Sequence, residues 1–418
     1  MPDTTRFHQV GRGPGELERR DDSRGPIGAV SGVAARGLPT IGITGVWVDP
    51  DSADHAHGVS GSVAAALRRL GVYAGYREAF PLTGARVIRR WLQVTGRQHD
   101  ISSVMLSHEL RTWSRIWNAS QRATTPRSVD AWLLLCGARS VRGRYATLTD
   151  QSPHQILRRS TTPSILLYPH ASEAELRSVE KSALLTCERA YVSCTASHWA
   201  ASSFVKDVNV DPCRVKVVGF GVGSGHDPDQ IRVGDRDWTT PRFLFVGHSW
   251  KRKNGDGVVR AFRSIRQYSP DATLHVVGEH PRLSEEGVFG YGPVTRREPN
   301  GLRTLNELFG RATCFVMPSW VEPFGHVYVE AGTVGVASIG TTEGGAADAI
   351  GAGGLLVAPD DHHALLDAMG HFCRPEFAYQ LGAKAFQHSK LLSWDLVAQR
   401  LLRALDVSIP GLELADFL

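Results

Sequence analysis

Two glutamates, Glu322 and Glu330, with seven residues between them, frame a Pro-Phe-Gly turn in "MPSWVEPFGHVYVEAG". Ionised carboxylates only accept hydrogen bonds, so such a pair suits a ligand rich in hydroxyl groups, as on a sugar or a ribose. "CFVMPS" reads as a strand, Pro323 stiffens the loop after it, Gly325 lets backbone approach a ligand, and a helix starts near His326. Glu322 then precedes the helix and Glu330 lies a turn or more inside it. The two need not touch, and can grip opposite ends of a ligand whose phosphates lie at the helix start. A helix-capping Glu322 and a solvent-facing Glu330 are the plainer alternative.

Two further loops have suitable chemistry. In "FVGHSWKRKNGD", Gly247 ends a strand and Lys251, Arg252 and Lys253 cluster before a helix. Cations there oppose the helix macrodipole. A bound phosphate would remove the conflict, because basic side chains and backbone N–H groups could share it; a solvated basic loop explains the cluster as well. "GTTEGGAAD", Gly340 to Asp348, repeats the strand–glycine–helix arrangement, although its glycines can be plain turn residues. The three loops fall in order on successive strand ends, where ligands of open α/β sheets sit.

The elements that must position these loops follow from length and pattern. A chain of 418 residues exceeds what one core usually serves, so two domains are expected. The excess of 47 basic over 42 acidic residues is small and does not by itself point to nucleic acid. No aromatic-basic interleaving or zinc-finger spacing is present either. The six cysteines are scattered in mostly apolar surroundings, which reads as buried free thiols in a reducing cytoplasm. No stretch approaches the ~20 apolar residues that span a bilayer, and the first residues lack the apolar core of a secretion signal, so export is not expected.

Residues up to about Pro39 read as a mobile Arg- and Gly-rich tail. "IGITGVWV", a helix over "SVAAALRRLG", and strands in "SSVMLSH", "RYATLTD", "SILLYPH", "AYVSCTAS" and "RVKVVGFGV" make a first α/β domain. The polar "GSGHDPDQIRVGDRDWTTPR" reads as a linker, with a hinge near Gly223 to Gly225. "RFLFVGHS", a helix over Gly255–Tyr268, "ATLHVVGE", "GVFGYG", a helix near Leu305, "CFVMPS", a helix from His326, "ASIGTT", "GGLLVAP" and a final helix pair make a second, doubly wound domain facing the first across a cleft.

From about Phe243 to Val357 the chain resembles the donor-binding domain of GT-B glycosyltransferases, family 4 in particular. "EPFGHVYVEA" matches that family's glutamate-seven-glutamate motif, with "FVGHSWKRKN", "LHVVGE", "GVFGYG" and "GGLLVAPDD" at the expected spacings around it. The implied fold is α/β, GT-B: two Rossmann-like doubly wound domains facing a central cleft. These would cover 40–222 and 241–385, after a tail over 1–39 and joined by a linker over 223–240. A C-terminal helix within 386–418, containing Trp394, would cross back to brace them.

The resemblance places the ribose of a nucleotide diphosphate sugar on Glu330, the sugar ring toward Glu322, and sugar and phosphates on the backbone of Phe324 and Gly325. It places the leaving diphosphate on Lys253, helped by Arg252, and the base near Phe289, Tyr291 and Gly292. His248 after Gly247 departs from the family, which commonly has arginine there, and Asp348 stands where glutamate is common. His326 opens the helix at the donor site, Gly58 would let the first loop approach the donor, and Asp150 lies at a strand end facing the cleft, as an acceptor-side residue or a turn-forming aspartate. His108 and His154 are weaker acceptor-side candidates.

The implied reaction is glycosyl transfer, retaining and metal-independent, with no cofactor beyond the nucleotide sugar substrate. The acceptor is left open among glycan, lipid-linked and small-molecule hydroxyls, and the implied location is the cytoplasm. Arginine-rich stretches such as "VIRRWLQVTGR", "SVRGRY" and "ILRRS" suit a peripheral contact at the membrane's inner face, or plain solvated helix faces. An inactive glycosyltransferase-like partner subunit and a nucleotide-sugar epimerase are the alternatives.

Overall fold

The computed structural model describes residues 37–45, 58–78, 129–135, 141, 143–161, 173–222, 236–295 and 298–418. Expected features of the N-terminal tail, His108, the strands in "SSVMLSH" and "SILLYPH", the first-domain stretch "VIRRWLQVTGR" and the hinge at Gly223 to Gly225 lie outside them.

The first domain contains β1 (Ile41–Gly45), α1 (Val59–Arg69), β2 (Tyr73–Glu78), β3 (Ala131–Leu135), β4 (Tyr145–Thr149), α2 (Pro153–Thr161), α3 (Glu173–Arg189), β5 (Val192–Thr195), α4 (His198–Lys206) and β6 (Val215–Val217). These strands form one parallel sheet of order β2-β1-β3-β4-β5-β6. β3, "AWLLL", is buried throughout and pairs along its length with β1, Ile41 opposite Ala131 and Gly45 opposite Leu135. It was not expected: its leucines favour helix in isolation, whereas a central parallel strand needs only a continuous apolar run. The strand expected over "RVKVVGFGV" ends at Val217, after which Val218 and Phe220 are buried outside the ladder.

The second domain contains β7 (Arg242–Val246), α5 (Gly255–Ile265), β8 (Thr273–Val277), β9 (Val288–Gly290), α6 (Pro299–Arg311), β10 (Cys314–Val316), α7 (His326–Thr333), β11 (Ala337–Thr341), α8 (Ala346–Ile350), β12 (Gly354–Val357), α9 (His362–His371) and α10 (Pro375–Ser389). Its sheet order, β12-β11-β10-β7-β8-β9, is the doubly wound Rossmann order read from the other edge. α5 shows why such helices pack as they do: Val258, Val259, Ala261, Phe262 and Ile265 recur at helical spacing and are all buried. Before β7, the buried guanidinium of Arg236 donates to the carbonyls of Phe309 and Gly310 at the end of α6, and of Val334 and Gly335 after α7. One cation thus satisfies two helix carboxyl ends at once, and burial lowers its pKa to about 10.

α9 and α10 form the helix pair expected after "GGLLVAP", and a closing helix, α11 (Trp394–Ala404), follows them. α11 crosses back and packs on α1 and β5 of the first domain. Arg69 and Asp395 pair there at 2.6 Å. The buried Arg400 donates to Val218 O at 3.1 Å, Leu391 O at 2.9 Å and Asp416 O at 2.7 Å, tying helix, tail and β6 together. The two-domain GT-B architecture with a bracing helix is therefore present. No helix among the described residues is long and apolar enough to cross a membrane.

Candidate functional site

The strand order of the second sheet reverses between β7 and β10, so the loops after these two strands flank its topological switch point. The loop after β7 winds into a tight turn, Lys253 N donating to Ser249 O at 2.9 Å and Gly255 N to Trp250 O at 3.0 Å. Asn254 takes a left-handed conformation, φ 60°, and its amide reaches Pro359 O at 2.8 Å. The turn sends Lys253 inward until its side chain is 9% exposed.

There the Lys253 ammonium bonds the carboxylate of Glu322, from the loop after β10. Ser319 Oγ donates to the same oxygen at 3.2 Å, and Arg252 Nη1 lies 3.6 Å from it while donating to Val321 O. Burial pushes the Glu322 carboxyl up, but Lys253, Arg252 and the hydrogen bonds from Lys253 and Ser319 outweigh it and hold the group below its ordinary value. Lys253, Arg252 and Glu322, expected to serve one ligand separately, are thus in direct contact with one another.

The third loop is sewn to the second by backbone. Glu322 N donates to Glu343 O at 2.9 Å, and Gly345 N donates to Glu322 O at 2.8 Å. Gly344 holds φ +121°, and a Cβ there would overlap the carbonyl of Glu322, so only glycine fits. Gly325, φ +87°, opens α7 with no side-chain cap, which leaves that helix start without the usual internal acceptor. Tyr328 OH pins the helix to Met317 O at 2.6 Å. Glu330, a turn further on, is buried, so the solvent-facing alternative does not hold.

His326 faces the first domain. Its Nδ1 lies 3.1 Å from Gly221 O, and its ring stacks on Phe220 with centroids 5.2 Å apart and is near Trp394 at 6.4 Å. Burial holds the ring below the ordinary imidazole pKa, against the opposing pulls of the Gly221 carbonyl, Glu330 and Glu322. A carbonyl can only accept, so Nδ1 carries the proton of the neutral ring and Nε2 is left as an acceptor. Phe324 packs edge-on against Phe220 at 5.6 Å with its side chain buried, which leaves only its backbone for a ligand. Asp348 also spans the domains, accepting from His198 N at 3.0 Å and lying 2.5 Å from His198 Nδ1. The departure from glutamate thus coincides with an interdomain contact.

At the far side of the sheet, the Phe289 ring stacks on His275 at 5.2 Å and Tyr291 OH lies 2.9 Å from His275 Nδ1, both rings partly exposed. Past the strand ends, Gly292 O accepts from Gly278 N at 2.9 Å and Gly292 N donates to His280 Nε2 at 3.1 Å. His280 lies beside Trp250, centroids 6.3 Å apart. Neither Trp250 nor His280 was singled out from sequence; their signal was their place directly after β7 and β8. Gly247 abuts the Lys253 stem, and His248 is exposed. In the first domain, Gly58 starts α1. Asp150 follows β4, just before a capping box in which Ser152 N donates to Gln155 Oε1 and Gln155 N to Ser152 Oγ. His154 faces Glu180 of α3 at 3.8 Å. Among the described residues, no group of three or more His, Cys, Asp or Glu is placed to hold a metal ion.

Residues 240–374 match the family model "Glycosyl transferases group 1". The chain is 29% identical over 234 residues to D-inositol 3-phosphate glycosyltransferase of Nocardioides sp., a match covering 48% of this chain and 50% of the relative. The chain thus spans about half the length of the curated relatives it matches. Its fold is similar to sucrose-phosphate synthase from Thermosynechococcus elongatus, with TM-score 0.60, 18% identity, and 87% of this chain and 98% of that chain covered. It is also similar to a glycosyltransferase from Rickettsia africae, with TM-score 0.59, 15% identity, and 88% and 98% covered.

Proposed function

We propose that this chain, whose residues 240–374 match the group 1 glycosyl transferases and which has the GT-B fold, is a glycosyltransferase that moves a sugar from a nucleotide diphosphate sugar to an acceptor hydroxyl. The observation behind this reading is the buried Lys253–Glu322 pair at the switch point, beside the uncapped start of α7.

In transfer, the bond from the anomeric carbon to the diphosphate oxygen breaks and a bond to the acceptor oxygen forms. Negative charge grows on the diphosphate as the anomeric carbon becomes cationic. Lys253, Arg252 and the N–H groups at Gly325 and His326 are the fixed donors that would meet this charge; removing one donor of this kind typically costs about 3 kcal/mol of barrier. An arriving diphosphate competes with Glu322 for the Lys253 ammonium, freeing the carboxylate to accept from sugar hydroxyls. Glu330 accepts from the ribose, and the strand ends between Trp250, His280 and Gly292 take the base. Attack from the leaving-group face, with the departing phosphate oxygen receiving the acceptor proton, gives retention. Closure of the first domain onto α7 through His326 and onto α8 through Asp348 excludes water and favours transfer over hydrolysis.

The relatives' name supplies the first acceptor to test, a phosphorylated polyol. Purified protein is incubated with labelled uridine, guanosine, adenosine and thymidine diphosphate sugars, with and without D-inositol 3-phosphate and lipid-linked acceptors. One donor should release nucleoside diphosphate in step with a new glycoside. Conversion of donor to an epimer without acceptor, or no binding of any donor by folded protein, overturns the reading.

A further inference from the structure

The first domain has a second concave, cationic site at the opposite end of its sheet from the cleft. It lies where the chain enters β4, β5 and β6, and is closed over by the end of α11 and the C-terminal tail. The cavity measures about 760 Å³ and is lined by Arg144, Arg189, Arg214, Lys216 and Arg403, with Asp406 the one carboxylate in the lining.

Three of the cations have structural duties. Arg214 donates to Ala190 O and, at 2.8 Å, to Glu188 O, capping the end of α3. Arg144 donates to Leu405 O at 2.8 Å and lies 4.6 Å over the Tyr191 ring. Arg403 pairs with Asp416 at 3.0 Å. Asp406 is itself engaged by the Tyr191 hydroxyl. The side chains of Arg189 and Lys216 are left over: neither the guanidinium nor the ammonium has a hydrogen-bond or ion-pair partner among the described residues, and the Lys216 ammonium rests 5.4 Å from the Phe417 ring.

We infer that this cavity binds a phosphate-bearing small molecule of about sugar-phosphate size. Its volume lies within the range of small-ligand sites. Unpaired cations on a concave wall concentrate anions, and an ammonium beside guanidinium donors gives an oxyanion several charge-assisted bonds. Tyr191 and Phe417 supply apolar faces for the organic part. The helix ends here are carboxyl ends, whose partial negative charge repels anions, so the attraction comes from the side chains. An occupant would bridge the first domain and the bracing helix, and the inference does not depend on the transferase reading.

Cys213 lines the cavity and is an exposed free thiol, whereas Cys187, Cys194 and Cys314 are buried. In full-length protein with Cys136 and Cys373 changed to serine, the rate of Cys213 alkylation by neutral iodoacetamide is measured with inorganic phosphate, glucose 6-phosphate, chloride at matched ionic strength, and phosphatidylglycerol vesicles. Either soluble phosphate at ~10 times its Kd should slow alkylation about tenfold. The double variant R189A/K216A should lose that protection, while R177A, which removes an exposed charge elsewhere on α3, keeps it. Equal protection by chloride, protection by vesicles alone, no protection, or equal loss in R177A would each overturn the inference.

Discussion

Replacing Glu322 by glutamine removes the charge from a carboxylate 7% exposed that faces an ammonium 9% exposed. Loss of one partner of a buried pair costs about 3–5 kcal/mol, because the other charge stays buried and uncompensated. Two features set E322Q near the lower end: the amide oxygen still accepts from Lys253, and Arg252, 25% exposed, recovers hydration. A loss of about 3 kcal/mol corresponds to a fall in Tm of roughly 6–12 °C for a domain of 150–250 residues. The assay is thermal unfolding at pH 7, with and without the nucleoside diphosphate the wild type binds. Without nucleotide the variant should melt in that lower range. With nucleotide the gap should narrow, because the diphosphate supplies the missing anion. The double variant K253M/E322L, with no stranded charge, should regain much of the loss. A variant melting within 2 °C of wild type without nucleotide, or a gap that bound nucleotide leaves unchanged, refutes this account of the pair.

The pair also sets a pH dependence. Glu322 has a folded-state pKa below its ordinary 4.5, so its stabilisation is present above the unfolded value and is lost as pH falls through the folded one; acid unfolding curves of E322Q should lack that component. His326, held neutral below its ordinary 6.5, makes the fold less stable as pH falls below 6.5 toward its depressed value, and H326Q should flatten this part of the profile. D348N weakens the contact with His198, worth about 1 kcal/mol; it should enlarge the radius of gyration seen by small-angle scattering while leaving nucleoside diphosphate affinity unchanged. E330Q should abolish the thermal shift that the donor gives the wild type, about 2.7 kcal/mol at 100 times Kd, and an undiminished shift would remove Glu330 from the donor site.

The second domain was legible because its strands are short apolar runs ended by glycine, proline or polar loops, and its helices keep a 3.6-residue period. Strand order was not: that β7 lies between β8 and β10 depends on pairings such as Phe243 with Leu274 and with Cys314, which no local window contains. The same limit hid the Lys253–Glu322 contact, 69 residues apart in sequence; only the types and loop positions of the two residues could be read. β3 was hidden by leucines whose local preference is overridden by burial between β1 and β4. Phe289 and Tyr291 were legible as a strand end, but not that their rings would pack on His275.

The central claim is that Lys253, at the switch point beside the start of α7, receives the diphosphate of a nucleotide donor. Equilibrium titration of uridine, guanosine, adenosine and thymidine diphosphates into wild type and K253M tests it most directly. One nucleotide should bind the wild type, and its affinity should fall by ten- to a hundredfold in a K253M protein that remains folded, the loss expected for a charge-assisted hydrogen bond of about 1.5–3 kcal/mol. Equal affinity in both proteins, or no binding by the wild type, would contradict the claim.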